Sequence, residues 1–433
     1  MKIPNPHFHP ITFWTAALLL IVLMFALPQF LGTLVLLILI TTAVLIGLTI
    51  FIYPRREMLR RADFWKTIYA EIFQRENTTG RMPPVERFPL SGSERIFWIV
   101  TVLTAAIIGA YYTVHLQTAY FHPNFIMDWQ HPMMQDVLNE NAGNPWQYRL
   151  FSNYLLDFLV HRAWDTGFDY QDGIEFVFLN VRYAQNFIIF LAMIVYYRLL
   201  RLSYPGVMLG MLLFVWAVSH SLINSNYNYD TYFDLMFYLF AGIAILRGWY
   251  WLIIPLSVIA VTNRETGGLI PLMLFFESIR FKPLPAPEES AWNFKARLHV
   301  EPLPALTAGI ALVIFIIIYS IIHASFPPQL YIGTLGGNPG WSLIKYNLTT
   351  RENWEVIFRT MGIVPVIVFL SWRRLPRPLQ SYLWAVVPLW IVAVFWGGNT
   401  LETRLFLEPY VLVMIPGVIL AAVDFKPATN PTV

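Results

Sequence analysis

Residues 125–136 read FIMDWQHPMMQD, and NPWQYRLF follows at residues 144–151. Both stretches belong to a polar segment, Phe121–Phe176, which separates two long apolar runs. The segment also holds an amphipathic patch, Leu150–Trp164, of the kind that lies along a membrane surface. Polar groups kept in one large loop between apolar runs indicate a membrane protein with chemistry at the membrane surface.

The composition sets the class of protein. The chain has 433 residues, of which 57% are hydrophobic and 13% charged, whereas soluble domains carry about 25% charged residues. Its mean hydropathy is +0.54. There is no cysteine, which excludes disulfides, thiolate metal sites and a cysteine nucleophile. We therefore predict an all-α polytopic membrane protein.

Apolar runs predict about twelve transmembrane helices, since such a helix needs about 20 apolar residues. The first two, at residues 11–30 and 31–53, form an N-terminal addition (residues 1–53), and the first is interpreted as a retained span. The other ten are predicted at residues 96–112, 177–197, 205–218, 229–246, 249–261, 267–276, 303–322, 356–370, 382–396 and 405–423. The run at 267–276 is short enough to belong to a broken or re-entrant element.

Charge predicts the orientation. With a cytoplasmic N-terminus, 21 of the 29 basic residues fall on inner segments, as the positive-inside rule requires. A basic cytoplasmic loop then spans residues 54–95, a transmembrane module residues 96–423, and a cytoplasmic tail residues 424–433. We expect an integral protein of a bacterial inner membrane, with both termini in the cytoplasm.

Five groups of polar residues fall on the predicted outer side. Those singled out as candidate binding residues are Tyr148, Arg149, Asp230, Asn263, Arg264, Glu265, Glu402 and Arg404. Ionisable groups in membrane spans are costly, so they pair or serve a site. Arg264 has two interpretations: it binds a phosphate through its planar guanidinium, or it seals the bundle in an ion-pair network with Asp230 and Glu402 as the available partners.

Asp128 and Asp136 are the candidate catalytic carboxylates. A carboxylate above the membrane can act as a general base towards a hydroxyl, or ligate a hard divalent cation through oxygen. Simple solvation in a loop is the alternative for each. The histidines form no HExxH pattern, so we predict no zinc site, and no other cofactor is implied.

The layout resembles the C-type glycosyltransferase superfold (GT-C). The resemblance covers residues 96–423 and rests on the acidic first outward loop, the Tyr148-Arg149-Leu-Phe run, Tyr229-Asp230, Asn263-Arg-Glu-Thr266 and Glu402-Thr-Arg-Leu-Phe406. This sequence departs from the superfold's pattern in having no adjacent acidic pair in the loop. It also has two spans ahead of the module.

The resemblance implies transfer of a sugar from a polyprenyl-phosphate carrier to a hydroxyl of a glycan, lipid or protein acceptor on the outer face. Asp128 or Asp136 would be the base, and Arg264, with Arg149 or Arg404, would hold the departing phosphate. Membrane lipids are expected partners and nucleic acid is not. The alternatives are a secondary transporter and a non-catalytic or polymerase component of an envelope polysaccharide system.

Overall fold

The computed structural model of the chain describes residues 92–121, 124–143, 145–224, 229–281, 298–326 and 339–423. The predicted spans at 11–30 and 31–53, most of the basic loop and the C-terminal tail lie outside these ranges. All that follows concerns the described residues.

The fold is a bundle of helices with one small pair of strands. The helices are α1 (Gly92–Tyr120), α2 (His131–Leu138), α3 (Leu150–Asp165), α4 (Tyr170–Leu199), α5 (Tyr204–Asn224), α6 (Tyr229–Arg247), α7 (Ile253–Asn263), α8 (Leu269–Ser278), α9 (Pro302–Ser325), α10 (Trp341–Thr349), α11 (Arg351–Met361), α12 (Val364–Leu370), α13 (Arg377–Ser381), α14 (Val387–Gly397), α15 (Leu407–Pro409) and α16 (Ile415–Val423). Strands β1 (Ile279–Phe281) and β2 (Leu298–Val300) pair antiparallel, with Ile279 opposite Val300.

Short π and 3-10 turns link several of these helices. The π turns are Ile126–Gln130, Tyr382–Val386 and Tyr410–Met414, and the 3-10 turns are Trp146–Tyr148, Tyr250–Leu252, Glu265–Gly268, Trp372–Arg374 and Thr403–Phe406. Two of the π turns continue a helix, so that α13 runs into α14 and α15 runs into α16.

Within the described ranges, seven helices are long and apolar enough to cross a membrane. They are Ile96–Tyr120, Tyr170–Leu199, Tyr204–Ser221, Tyr229–Arg247, Pro302–Ser325, Arg377–Gly397 and Thr403–Ala422. An eighth span results if α11 and α12, which meet at 76°, cross as one bent element. The bend lies at Gly362, whose φ of 57° is a conformation that glycine adopts without strain. The chain is thus an integral membrane protein with fewer spans in this region than the ten predicted.

The prediction differs most from the structure at residues 249–261 and 267–276. Helix α7 has 11 residues and α8 has 10, which makes each roughly 15 Å long at 1.5 Å per residue. A hydrocarbon core is about 30 Å thick, so neither is long enough to count as a span by itself, even with the turn Tyr250–Leu252 that extends α7 to Tyr250–Asn263. Instead the two helices fold against each other as a hairpin, because Gly267 at its tip lies against the Ala260 backbone.

The two ends of the bundle are defined by contacts between successive elements. At one end, Arg377 donates hydrogen bonds to the carbonyl oxygens of Glu277 (2.9 Å) and Ile279 (2.5 Å), and α4 turns into α5. At the other end, which we call the site end, the rings of Tyr148 and His323 pack at a tilt with their centroids 3.8 Å apart. The polar segment, the start of α6 and the end of α9 therefore share the site end.

Helix α6 and the last span form the centre of the bundle. In the most apolar stretch of each, 83% of the residues are buried, whereas the share is 28% in α1 and in α9. The hydroxyls of Tyr196 and Tyr197 donate to the carbonyl oxygens of Leu412 (3.0 Å) and Val411 (2.9 Å). These carbonyls belong to a π turn, where helical hydrogen bonding is irregular, and the tyrosines add partners for them in the core.

Helix α3 fits the predicted amphipathic element. Its bounds, Leu150–Asp165, agree with the predicted patch. Leu156 and Val160 are buried, whereas Tyr154 and Phe158 are about half exposed on the opposite face. Exposed aromatic side chains at the end of a bundle are typical of the boundary between lipid and water.

Candidate functional site

Arg264 lies at the centre of a buried cluster of charges near the site end. Its Nη1 atom is 3.2 Å from Asp234 Oδ2 and 3.5 Å from Glu408 Oε1, and its Nε atom is 3.6 Å from Asp230 Oδ2. All four side chains are at most 6% exposed. Three carboxylates therefore surround one guanidinium, and the ion-pair interpretation of Arg264 describes its contacts better than the phosphate interpretation.

The hairpin tip is fixed to α6 by neutral hydrogen bonds. Asn263 Nδ2 donates to Asp230 O (2.8 Å) and Asp234 Oδ1 (2.9 Å), and the Thr266 hydroxyl donates to Asp234 Oδ2 (2.9 Å). The Tyr238 hydroxyl donates to the Thr266 carbonyl oxygen. The hairpin tip therefore lies against the first turns of α6, and Asn263 contacts the backbone of Asp230 next to the start of that helix.

Arg149 connects the polar segment to the same cluster. Its Nη1 atom is 2.7 Å from Asp230 Oδ2, which fixes the start of α3 to the start of α6. Burial lowers the pKa of the Arg149 guanidinium, and the negative charge of Asp230 opposes that shift. Its Nε atom is buried and has no partner within the described residues.

Arg404 reaches the same region from the start of the last span. Its guanidinium carbon is 5.8 Å from the centre of the Trp146 ring, and that of Arg149 is 3.8 Å from the same ring. Arg404 is also paired with Glu402 at 2.6 Å. Glu402 was predicted as an available partner for Arg264, but the ion pairs of the described residues join Arg264 to Glu408 instead. One indole thus contacts two arginines.

Glu265 is the carboxylate of the region that is most open to a ligand. It is half-buried, and its charge acts on both Arg149 and His323. In the described part of the chain it makes no hydrogen bond or ion pair. The His323 ring packs at a tilt against the rings of Tyr148 and Tyr319, with its centroid 4.1 Å from that of Tyr319. A carboxylate beside arginines and aromatic rings suits recognition of a polar group such as a sugar hydroxyl.

Asp128 and Asp136 lie apart from this cluster. Both side chains are exposed, and neither contacts an arginine of the cluster through a hydrogen bond or ion pair among the described residues. Asp128 lies in the π turn Ile126–Gln130. Ile126 and Gln130 of this turn line a small open pocket that extends to Arg182 and Tyr229, and Asp128 is not among its lining residues. The pocket therefore ends beside Asp230, one residue further along α6.

Sequence reasoning did not single out Glu408, and it left Asp234 outside the candidate site. Glu408 is an acidic residue inside the apolar run at 405–423, and a charge in such a run is itself a signal of a site. Trp146 and His323 were also missed, because aromatic residues are common in this chain. No group of three acidic, histidine or cysteine side chains within the described ranges could hold a metal ion.

Comparison with known proteins adds no further assignment. No protein-family model, curated protein or solved structure matches this chain with significant similarity. The chemistry of the site must therefore be argued from its own groups: arginines that can bind an anion, a half-buried carboxylate, and aromatic rings at one end of an apolar bundle.

Proposed function

We propose that this chain is a membrane glycosyltransferase that moves a sugar from a polyprenyl-phosphate carrier to an acceptor hydroxyl. One observation carries the proposal: Arg149 and Arg404 contact the same Trp146 ring, and Glu265, a half-buried carboxylate, lies close enough for its charge to act on Arg149. Such a transfer needs cationic groups that stabilise the anionic leaving group and a base that takes the proton of the acceptor.

In the proposed reaction a carboxylate takes the proton of the acceptor hydroxyl. The hydroxyl oxygen attacks the anomeric carbon, and the bond from that carbon to the phosphate oxygen breaks. The bonding electrons stay on the departing polyprenyl phosphate, whose charge Arg149 and Arg404 stabilise. Glu265 is the half-buried carboxylate of this region that makes no ion pair with the described residues, and its charge acts on Arg149. Asp128 and Asp136 remain the alternatives.

The distribution of charge supports a site on the non-cytoplasmic side. By the positive-inside rule the site end faces outward, since Arg198, Arg247 and Arg377 are at the opposite end. On that side the donor would be a lipid-linked sugar in the membrane. Exposed aromatic residues such as Tyr154 and Phe158 would hold α3 at the lipid boundary. The proposed location is a bacterial inner membrane, and the charge distribution supports the outward orientation of the site end.

Turnover measurements test the transferase proposal. The purified protein in lipid nanodiscs is given polyprenyl phosphates that carry different hexoses together with glycan or lipid acceptors, and released polyprenyl phosphate is measured. We expect Glu265→Gln to lower kcat by about 100-fold or more, as loss of a general base does. Asp128→Asn and Asp136→Asn are compared in parallel, and Glu352→Gln, at an exposed site, is the control.

Two results would contradict the transferase. One is no release from any donor by wild-type protein that is folded. The other is wild-type turnover in all three carboxylate variants, since the reaction would then proceed without a base from this site.

A secondary transporter is the second candidate, and the α7–α8 hairpin favours it. Broken helices whose ends meet polar groups inside the bundle are a feature of transporter sites, and Arg264 at the hairpin tip meets three buried carboxylates. Uptake of labelled sugars or ions into proteoliposomes under a proton gradient would support this class. Polyprenyl phosphate release without uptake would exclude it.

A further inference from the structure

The buried cluster holds more acidic than basic groups. Arg149 and Arg264 face three carboxylates, Asp230, Asp234 and Glu408, and all five side chains are 9% exposed or less. Two further arginines are buried nearby: Arg404 is paired with Glu402 at 2.6 Å, and Arg182 lies over the rings of Tyr229 and Tyr232. The charges that act on Glu408 are those of Arg264, Asp234 and Asp230. With every group ionised, the five groups would sum to one negative charge in apolar surroundings, which is strongly unfavourable. A neutral cluster requires one more positive charge or one fewer negative charge.

The hydrogen bonds indicate which carboxylate is least stabilised as an anion. Asp230 has both arginines, at 2.7 and 3.6 Å. Asp234 has Arg264 at 3.2 Å and also accepts hydrogen bonds from Asn263 and Thr266. Each of these two carboxylates therefore has at least two donors.

Glu408 has one ion-pair contact, which is long at 3.5 Å from its Oε1 atom to Arg264, and a hydrogen bond from its own backbone N–H. Its Oε2 atom is buried and has no donor within the described residues, and the same is true of Asn263 Oδ1. A proton on Glu408 would turn an acceptor that lacks a donor into a donor, and it would remove the surplus charge.

We propose that this cluster is a proton-binding site in which Glu408 carries the proton, so that two arginines balance two carboxylates. The proposal does not depend on whether the protein is a transferase or a transporter. The charged and titratable groups that face Glu408 are Arg264, Asp234, Asp230 and Tyr238. A metal cation is a poorer balance, because no group of acidic, histidine or cysteine side chains in the described ranges is arranged to hold one.

Infrared spectroscopy tests the proposal directly. The protein is measured at neutral pH in a detergent without ester carbonyls, where a protonated carboxylic acid gives a carbonyl band that shifts in D2O. We expect Glu408→Gln to remove this band and the exposed-site control Glu352→Gln to keep it. A band that persists in Glu408→Gln, or that is lost in Asp234→Asn instead, would overturn the assignment.

Thermal stability gives an independent measurement. Glu408→Gln replaces a neutral acid by a neutral amide of similar shape, so we expect the variant to melt close to the wild type. Asp230→Asn removes a charge paired with Arg149 and should melt at a clearly lower temperature. If Glu408→Gln melts as low as Asp230→Asn, Glu408 is ionised and the proposal is wrong. Stabilisation of the wild type by NaCl but not by choline chloride would also overturn it in favour of bound sodium.

Discussion

Arg264 shows how a buried arginine can be satisfied by the protein itself. The sequence left open whether it binds a phosphate or belongs to an ion-pair network. In the structure its guanidinium is in contact range of Asp230, Asp234 and Glu408, so a phosphate would have to displace a carboxylate and meet the repulsion of the other two. The arginines of the site that suit an anion better are Arg149 and Arg404.

Removing the Arg264 charge should therefore destabilise the fold. We expect Arg264→Gln to lower the free energy of unfolding by about 3–5 kcal/mol, because it leaves buried carboxylates without their cation. Arg351→Gln is the matched control: Arg351 pairs with Glu355 at 2.6 Å, but its side chain is 91% exposed, and an exposed pair contributes at most about 1 kcal/mol. Melting curves in detergent compare the two. Equal losses would mean that Arg264 is not buried among acids.

For single residues, the sequence predicted which residues belong to the site better than it predicted which of them form ion pairs. It offered Asp230 and Glu402 as partners for Arg264, and Asp230 is a partner. Glu402 pairs with Arg404 two residues away, and Glu408 takes its place. The choice depends on how the last span is rotated and how far it reaches into the bundle. A uniformly apolar run has no polar–apolar periodicity from which that rotation could be predicted.

Among the elements, the α7–α8 hairpin differs most from expectation. Its two apolar runs have the composition of membrane spans, and only their short length indicates that neither is a full span. Gly267 explains how the chain reverses so tightly: a Cβ atom there would lie 2.8 Å from the carbonyl carbon of Ala260. A glycine that permits close packing of backbones cannot be told from other glycines in a sequence.

A methyl group at the hairpin tip should force the two helices apart. We expect Gly267→Ala to lower the melting temperature and, by displacing Arg264 from Asp234, to lower activity as well. Gly309→Ala is the control, since a Cβ atom on Gly309 in α9 meets nothing within 4 Å and alanine is the better helix former. A Gly267→Ala variant as stable as Gly309→Ala would contradict the hairpin.

For the whole molecule, composition was sufficient to predict a helical membrane protein, and the alternation of spans predicted which polar segments share one end. The structure brings Arg149, Asp230, Asn263 and Arg264 together there, with Glu265, Glu402 and Arg404 close by. It does not bring Asp128 or Asp136 into the cluster. These two lie in a loop, where no span fixes the depth or direction of a side chain.

The central claim is that residues far apart in the sequence form one buried polar site at one end of the bundle. A double-mutant cycle on Arg149 and Asp230, which are 81 residues apart and pair at 2.7 Å, tests it most directly. The free energy of unfolding is measured for Arg149→Met, Asp230→Leu and the double variant. We expect each single change to cost about 3–5 kcal/mol and the double variant to cost much less than their sum. Costs that simply add would contradict the claim.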